Sequence, residues 1–520
     1  MAPHLDSSAG FLFFAALLLA GICIFRDYGI SWDEPMQRNA GQIAMRYVTG
    51  KSNELFSYRD KNYGTAFELP LAIAERIFGL TGDPQSVFAM RHFATFLLFF
   101  IGVIFFYKLC RYRFRSRMAG LAGALFLVLS PRIFAGSFYN SKDIPFLSVF
   151  IISIYTLIRY LNTPTPAKAL LHALASAILI DIRVVGIVMP LFTIAFLTLD
   201  TLTMRKGAPL KRVFIDGKLA AYAFFLAVFT IAFWPLLWRH PLYNFIAAFR
   251  EMSHYNFPYQ ILYLGRFIGG RELPWHYLPV WIAISTPLFY IVFFIIGCAV
   301  SAGMILKNPL TFLKDKRDDL LFLSWFFFPV IMIIALKSVL YDDWRQVYFI
   351  YPALILIAMI GIEAFFKIIK DRFVRNENAA KIILVIVTTL GLAPTAAFMI
   401  KNHPYQNVYF NTLAGRDMAD IKKKFELDCW GLSYGKALAY ILATDKSPEI
   451  KIYAANLPGI FNALAFPAEE RKRLIFADKP EDAKYFVSNY RWHPEDYPYK
   501  DEYYSIKIGN AKIMVVYRLK

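Results

Sequence analysis

The chain has 520 residues, of which 58% are hydrophobic, 17% aromatic and 18% charged. Those proportions exclude an ordinary soluble globular protein, where about half the residues are apolar and about a quarter charged, and they indicate a polytopic membrane protein. The net charge of +19 does not signal nucleic acid, because Lys and Arg fall in short bursts between apolar runs and form no continuous basic face.

In chain order, Met1 to Gly10 lacks the positive n-region of a signal peptide, and no Ala-x-Ala-like cleavage site follows, so the apolar run 11–25 is expected to remain as a first span. A span needs about 20 apolar residues, fewer where its ends are buried in protein. Further spans are expected at 93–109, 118–131, 144–158, 169–182, 184–202, 219–238, 280–305, 320–336, 346–366 and 382–400, eleven in all. The stretch 169–202 is interrupted only by Asp181-Ile182-Arg183. As one helix it would extend about 51 Å at about 1.5 Å per residue, beyond the hydrocarbon core.

Charge settles the reading. The basic bursts are Lys108 to Arg117, Arg159 with Lys168, Arg205 to Arg212, Lys307 to Arg317, and Lys367 to Lys381. They share one side only if 169–202 crosses twice, with Arg183 at the hairpin tip. The topology that follows is that of a multi-pass protein of the bacterial inner membrane, with a cytoplasmic N-terminus and an extracytoplasmic C-terminus. The transmembrane module is expected over 1–400. Its first outer loop, 26–92, holds eight Lys/Arg and eight Asp/Glu, and the amphipathic stretches Met36 to Val48 and Phe67 to Phe78 are expected to lie on the membrane surface. The other outer pieces are a short turn from Arg132 to Asp143, the loop Arg239 to Pro279, and Lys337 to Arg345.

Residues 401–520 have the composition of a soluble domain. Lys451 to Ala454, Leu474 to Ala477 and Tyr485 to Val487 read as strands, Ile506 to Gly509 with Lys512 to Tyr517 as a hairpin around Gly509-Asn510, and Leu432 to Ala443 as a helix. A small extracytoplasmic α/β domain is expected. The four cysteines, Cys23, Cys110, Cys298 and Cys429, imply no disulfide framework. No internal repeat is visible.

Functional-looking polar residues all fall on the outer side: Asp33 and Glu34 in Ser31-Trp32-Asp33-Glu34-Pro35, Arg91, His92, Arg132, Lys142, Asp143, Arg183, Asp342, Asp343, Arg345 and His403. Ionisable groups gathered at one depth are costly near lipid unless paired or functional. Guanidinium groups there suit a lipid phosphate, and a carboxylate suits general-base work on an incoming hydroxyl. There is no His/Cys cluster at metal-ligand spacing, no glycine-rich phosphate loop and no Gly-x-Ser-x-Gly, so no cofactor is expected, with a divalent metal left open.

An acidic pair after the first span, a long first outer loop with surface helices, an acid in the second outer turn and an outer C-terminal domain together resemble the GT-C glycosyltransferases, in particular the branch of protein O-mannosyltransferases and the lipid A aminoarabinose transferase. Tyr341-Asp342-Asp343-Trp344-Arg345-Gln346-Val347-Tyr348-Phe349-Ile350-Tyr351-Pro352 is similar to that family's late Arg-containing segment. His403 to Asn411 with Phe425 to Gly431 resembles a segment of bacterial members of unassigned specificity. The resemblance implies transfer of a sugar from a polyprenyl-phosphate donor to a lipid (lipopolysaccharide), glycan or protein acceptor on the outer face. It implies Asp33 as the base with Glu34 its neighbour, and Asp143 as a further acid by its place in the second outer turn. Arg345 would contact the carrier phosphate, with Lys142, Arg132 and Arg183 as further cations and His403 and Tyr63 positioning acceptor or outer domain. Tyr63 to Pro70 stands where the aminoarabinose branch tends to have Lys-Pro-Pro, which argues against that donor. The competing class, a lipid or solute transporter or flippase, calls for ionisable or helix-breaking residues near mid-membrane in several spans, whereas most span centres here are clean. A third class is a structural membrane subunit whose outer domain binds a partner.

Overall fold

The structure is a computed structural model that describes residues 8–204, 217–253, 255, 257–374 and 376–520. The basic burst Arg205 to Arg212, and Arg375 within the last burst, lie outside the described residues.

Each expected apolar run falls on helix. Helix α1 spans Ser8–Ile24, α4 Pro84–Phe114, α5 Arg117–Val128, α6 Pro131–Tyr139, α7 Asp143–Asn162, α8 Pro166–Ile182 and α9 Val188–Met204. Later come Lys218–Phe233, Tyr277–Ser285, Leu288–Lys307, Arg317–Ala335, Tyr351–Ile368 and Glu377–Lys401. Seven helices among the described residues are long and apolar enough to cross a membrane, or up to eight if the bent pair α5 and α6 is one span, while Ser8–Ile24 and Leu219–Phe233 are shorter apolar helices. The count of eleven is therefore not reached on length and composition.

The break in 169–202 lies at Arg183, which is extended at φ −149, ψ 128, and a 3-10 turn at Val184–Ile187 follows. His172 in α8 and Thr193 in α9 are 2.8 Å apart. These residues lie at similar distances on either side of Arg183, so the chain doubles back there as a hairpin. The other ring nitrogen of His172 meets Thr156 of α7 at 3.0 Å, so this buried mid-helix histidine is occupied in joining three helices.

Two expectations need correction. The segment Arg132 to Asp143 is not a short turn: all nine residues of α6 are buried, and α6 is bent 69° from α5. Pro131 starts it at the first helical position, where its missing N–H costs nothing. The run 280–305 is likewise broken, because Pro287 pushes Thr286 into the extended region at φ −95, ψ 140. Beyond that break, Gly297 and Gly361 let the helices Leu288–Lys307 and Tyr351–Ile368 pack backbone against backbone, since a Cβ on either would run into a carbonyl of the other helix.

In the first loop, the amphipathic stretches form α2 (Glu34–Val48) and α3 (Glu68–Ile77). They pack on each other closely enough that a Cβ on Gly41 would meet the Glu68 backbone. The loop Arg239 to Pro279 holds a helix, Pro241–Ser253, and an antiparallel hairpin of β1 (Gln260–Tyr263) and β2 (Arg266–Gly269). Leu264 and Gly265 turn that hairpin with φ of 52° and 80°, the geometry a tight two-residue turn demands.

The C-terminal sheet has the order β4-β3-β5-β7-β6, from β3 (Ile450–Ala454), β4 (Leu474–Phe476), β5 (Tyr485–Ser488), β6 (Glu502–Ile508) and β7 (Ala511–Arg518). β3 runs parallel to β4 and β5, and β7 antiparallel to β5 and β6. The helix Ser433–Thr444 buries Tyr434, Leu438 and Ile441 against Ile450, Ile452, Val487 and Val516 of the sheet. This domain is docked on the end of the helical body where the polar residues gather.

Candidate active site

The segment before α2 is strapped to the C-terminal domain. Asn462 clamps Ile30 from both sides: the Ile30 N–H donates to Asn462 Oδ1 at 2.9 Å, and Asn462 Nδ2 donates to the Ile30 carbonyl at 2.8 Å. The Trp32 N–H donates to the Trp430 carbonyl at 3.2 Å. A Cβ on Gly29 would strike the Leu432 carbonyl, so only glycine lets the loop approach this closely. These ties fix Asp33 at the N-cap of α2, with its side chain 26% exposed.

Glu34 faces elsewhere. Consecutive residues on a helix do not share a face, and Glu34 is buried, with Oε1 at 2.9 Å from His92 Nε2 and Oε2 accepting from the Ser31 N–H at 2.8 Å. The expected acidic pair is thus split between a half-open site and a buried ion pair.

Arg345 opens a 3-10 turn, Arg345–Ile350, and draws three carboxylates together. Its Nη1 donates to Asp33 Oδ2 at 2.9 Å and to Asp143 Oδ2 at 3.1 Å, and its Nη2 lies 3.5 Å from Asp342 Oδ2. Tyr341 and Trp430 stack on the guanidinium, with ring centroids 4.9 and 4.6 Å away. Asp143 begins α7, takes a further ion pair from Arg183, and accepts from Asn140 Nδ2 at 3.1 Å. Four separate stretches of chain therefore meet: Asp33, Asp143, Arg183 and Arg345. Lys142 joins them, its amine 2.9 Å from the centroid of the Tyr63 ring. Burial, and then the Arg183 charge, push the Lys142 pKa down to about 7, while burial raises the Tyr63 phenol.

Arg132 and His403 also lie outside this group. Arg132 is buried, donating to Asp343 Oδ2 at 3.0 Å and to the Tyr409 carbonyl at 3.1 Å. His403 meets Asp27 at 2.8 Å and Gln406 at 3.0 Å, and so ties the start of the first loop to the entry of the C-terminal domain. The sequence reading missed Asn462 and Arg491, which sit in a soluble-looking region with no membrane-edge pattern to mark them. Trp430 did lie in a segment that the family resemblance singled out.

Beside the charged group is a cavity of about 330 Å³, within the range of small-molecule sites. Its wall is largely apolar, from Val188 and Leu191 of α9, Phe249 and Met252 of the helix Pro241–Ser253, and Phe328 and Met332 of the helix Arg317–Ala335. Leu191, Phe249 and Met332 are also exposed on the outside of the protein, so the apolar wall continues to the surface. Its polar lining includes Tyr63, Arg183, Tyr255 and Tyr341. Arg345 is set behind that lining and its Nε is buried without a partner. Among the described residues no group of three or more His, Cys, Asp or Glu side chains is arranged to hold a metal ion.

Residues 70–234 match the family described as Dolichyl-phosphate-mannose-protein mannosyltransferase. No curated protein matches the chain. Two crystal structures of ArnT from Cupriavidus metallidurans, one in the apo state and one bound to undecaprenyl phosphate, are each 14% identical and cover 98% of both chains, with TM-scores of 0.47 and 0.44. The family match runs from α3 to the end of the helix Lys218–Phe233 and takes in Arg132, Lys142, Asp143 and Arg183. It bears out the enzyme class expected from the sequence, a membrane glycosyltransferase.

Proposed function

We propose that this enzyme takes a sugar from a polyprenyl-phosphate carrier and gives it to an acceptor hydroxyl at the cluster of Asp33, Asp143, Arg183 and Arg345. The observation that carries this reading is the cavity: an apolar wall that reaches the protein surface, ending in tyrosines and Arg183. A polyprenyl chain needs the first and its phosphate the second. Leaving a phosphate near the bilayer without donors costs several kcal/mol, and Arg183 is the guanidinium on the cavity wall. Lys142 and Arg345 stand close behind it.

In the reaction the sugar C1–O bond to the phosphate breaks, and a bond from C1 to the acceptor oxygen forms. The acceptor proton goes to Asp33, and polyprenyl phosphate departs with the bonding pair. Arg345 holds Asp33 Oδ2, which leaves Oδ1 to take the proton. Asp143 keeps the two guanidinium groups in register by binding both. In the same reading the enzyme sits in a bacterial inner membrane with its basic loops cytoplasmic, and residues 26–92 and 401–520 outside, where a lipid, glycan or protein acceptor is met.

The test separates binding from chemistry. Arg183→Ala should weaken binding of undecaprenyl phosphate more than Arg183→Lys does. Asp33→Asn should leave that binding largely intact and lower transfer about 10²-fold or more, the scale of lost general-base help. Equal lipid affinity in wild type and Arg183→Ala would place the phosphate elsewhere, and near-normal transfer by Asp33→Asn would move the base to another group. The acceptor is identified by intact-mass analysis of lipopolysaccharide, surface glycans and envelope proteins from a deletion strain.

A further inference from the structure

Arg491 belongs to the C-terminal domain, three residues beyond β5, and lies 149 residues from the nearest charge of the membrane body that it meets. Its side chain is 3% exposed. Nη2 donates to Asp342 Oδ1 at 2.7 Å, Nη1 donates to the Cys429 carbonyl, and the guanidinium lies 4.8 Å from the centroid of Trp32 and 4.5 Å from that of Trp492. An arginine so deeply buried is expensive unless it is paired and fixed, and three of these partners, Asp342, Cys429 and Trp32, belong to segments that surround Asp33 or Arg345.

The partner that matters is Asp342. It divides its carboxylate, with Oδ1 facing Arg491 and Oδ2 facing Arg345. Asp342 and Asp343 also adopt the left-handed region in succession, with φ of 52° and 69°. Two consecutive non-glycine residues there hold a strained turn that persists only when its surroundings over-determine it. Asp343 is tied down from the membrane body by Arg132, by the Tyr348 hydroxyl at 2.7 Å, and by the Tyr277 hydroxyl, which donates to its carbonyl at 2.9 Å. Asp342 receives its second cation from Arg491, and Arg345 lies three residues further on.

We infer that Arg491 is a positioning residue of the active site, through which the C-terminal domain holds the Asp342 turn and so sets where the Arg345 guanidinium lies between Asp33 and Asp143. Arg491 touches no reacting atom. Without it, Asp342 has Arg345 as its remaining cation, draws that guanidinium toward itself, and lets the turn relax. The consequence for turnover rests on the glycosyltransfer reading above; the geometric consequence does not.

The test uses the full-length protein in lipid nanodiscs, as wild type, Arg491→Lys, Arg491→Met, Asp342→Asn, and Arg491→Met with Asp342→Asn. The first readout needs no substrate: the rate at which an arginine-selective dicarbonyl labels Arg345, followed by peptide mass spectrometry. Labelling should be slow in wild type and about tenfold faster in Arg491→Met, the scale of losing an outer support of a site. Arg491→Lys, which keeps the charge but not the forked geometry, should fall between. The double variant should label no faster than the faster single one, because both substitutions cut the same link. The second readout is undecaprenyl phosphate affinity, expected to weaken about tenfold in Arg491→Met. Should Arg491→Met fail to fold, the comparison of Arg491→Lys and Asp342→Asn with wild type decides. Wild-type labelling of Arg345 in the folded variants overturns the assignment whatever the lipid does. Accelerated labelling in a protein whose wild type binds no undecaprenyl phosphate upholds the positioning and overturns the donor reading instead.

Discussion

Lys142 precedes α7 with its amine against the face of Tyr63, and burial together with the neighbouring Arg183 pushes its pKa down to about 7. For folding, the sign is that of a depressed lysine: between pH about 7 and its ordinary value near 10.4 the unfolded chain binds the proton more readily, so this group's contribution to stability rises with pH across that window. For ligand binding the sign reverses. The cation that would meet a phosphate is present below pH about 7 and lost above it, although a bound anion raises the pKa and moves the step upward. Undecaprenyl phosphate affinity should therefore carry a fall with rising pH that Lys142→Met lacks. The check is a titration of Kd against pH for both proteins, which removes the lipid's own ionisation by comparison. Superimposable profiles would show that Lys142 does not meet the phosphate.

At the scale of elements, what could be read in advance was whatever one apolar period determines. β3 to β7 and the helix Ser433–Thr444 fall within a few residues of where alternation and turn residues put them, because Gly509-Asn510 and the apolar runs are local signals. The hairpin of α8 and α9 was legible because charge parity constrains it. Helix α6 was not, since Arg132, Gly136 and Ser137 dilute an apolar run whose burial is conferred by α4 and the segment Gln406–Val408. Asp33, Asp143, Arg183 and Arg345 were legible as polar residues at membrane edges; which of them touch was not, since their contacts join positions up to 312 residues apart. Gly64 shows the same limit. In sequence it only interrupts a family motif, yet a Cβ there would strike the Asp181 carbonyl and carboxylate of α8. Gly64→Ala must push the loop off α8 and carry Tyr63 away from Lys142. It should weaken undecaprenyl phosphate binding several-fold, while Gly82→Ala, where a Cβ meets nothing within 4 Å, should leave it unchanged. Equal affinities in the two variants would remove Tyr63 from the site.

The molecule as a whole is a helical body whose candidate site is closed by the C-terminal domain. Asn462 and Trp430 hold the Asp33 segment, while Trp430 and Arg491 hold the surroundings of Arg345. That junction also contains an acid with an unmet need. Glu426 is the residue after Phe425, which bridges to Tyr263 of β1, and its Oε1 is buried without a partner. Burial raises its pKa to about 7, against the opposing pull of Arg491 and with a further push from the Asp342 charge. Because the folded value lies above the unfolded one near 4.3, the folded protein binds the proton more tightly, and the group's contribution to stability is lost as pH rises from about 4.3 through about 7. A glutamine has the neutral form's shape and cannot ionise. Glu426→Gln should therefore melt close to wild type at pH 5 and above it at pH 8, with the gap opening across that interval. Melting curves of the full-length protein at both pH values, in the same detergent and salt, decide the matter. A variant that is less stable than wild type at pH 8 would mean that folding favours the ionised Glu426 despite its burial, and that Arg491 divides its charge between Glu426 and Asp342.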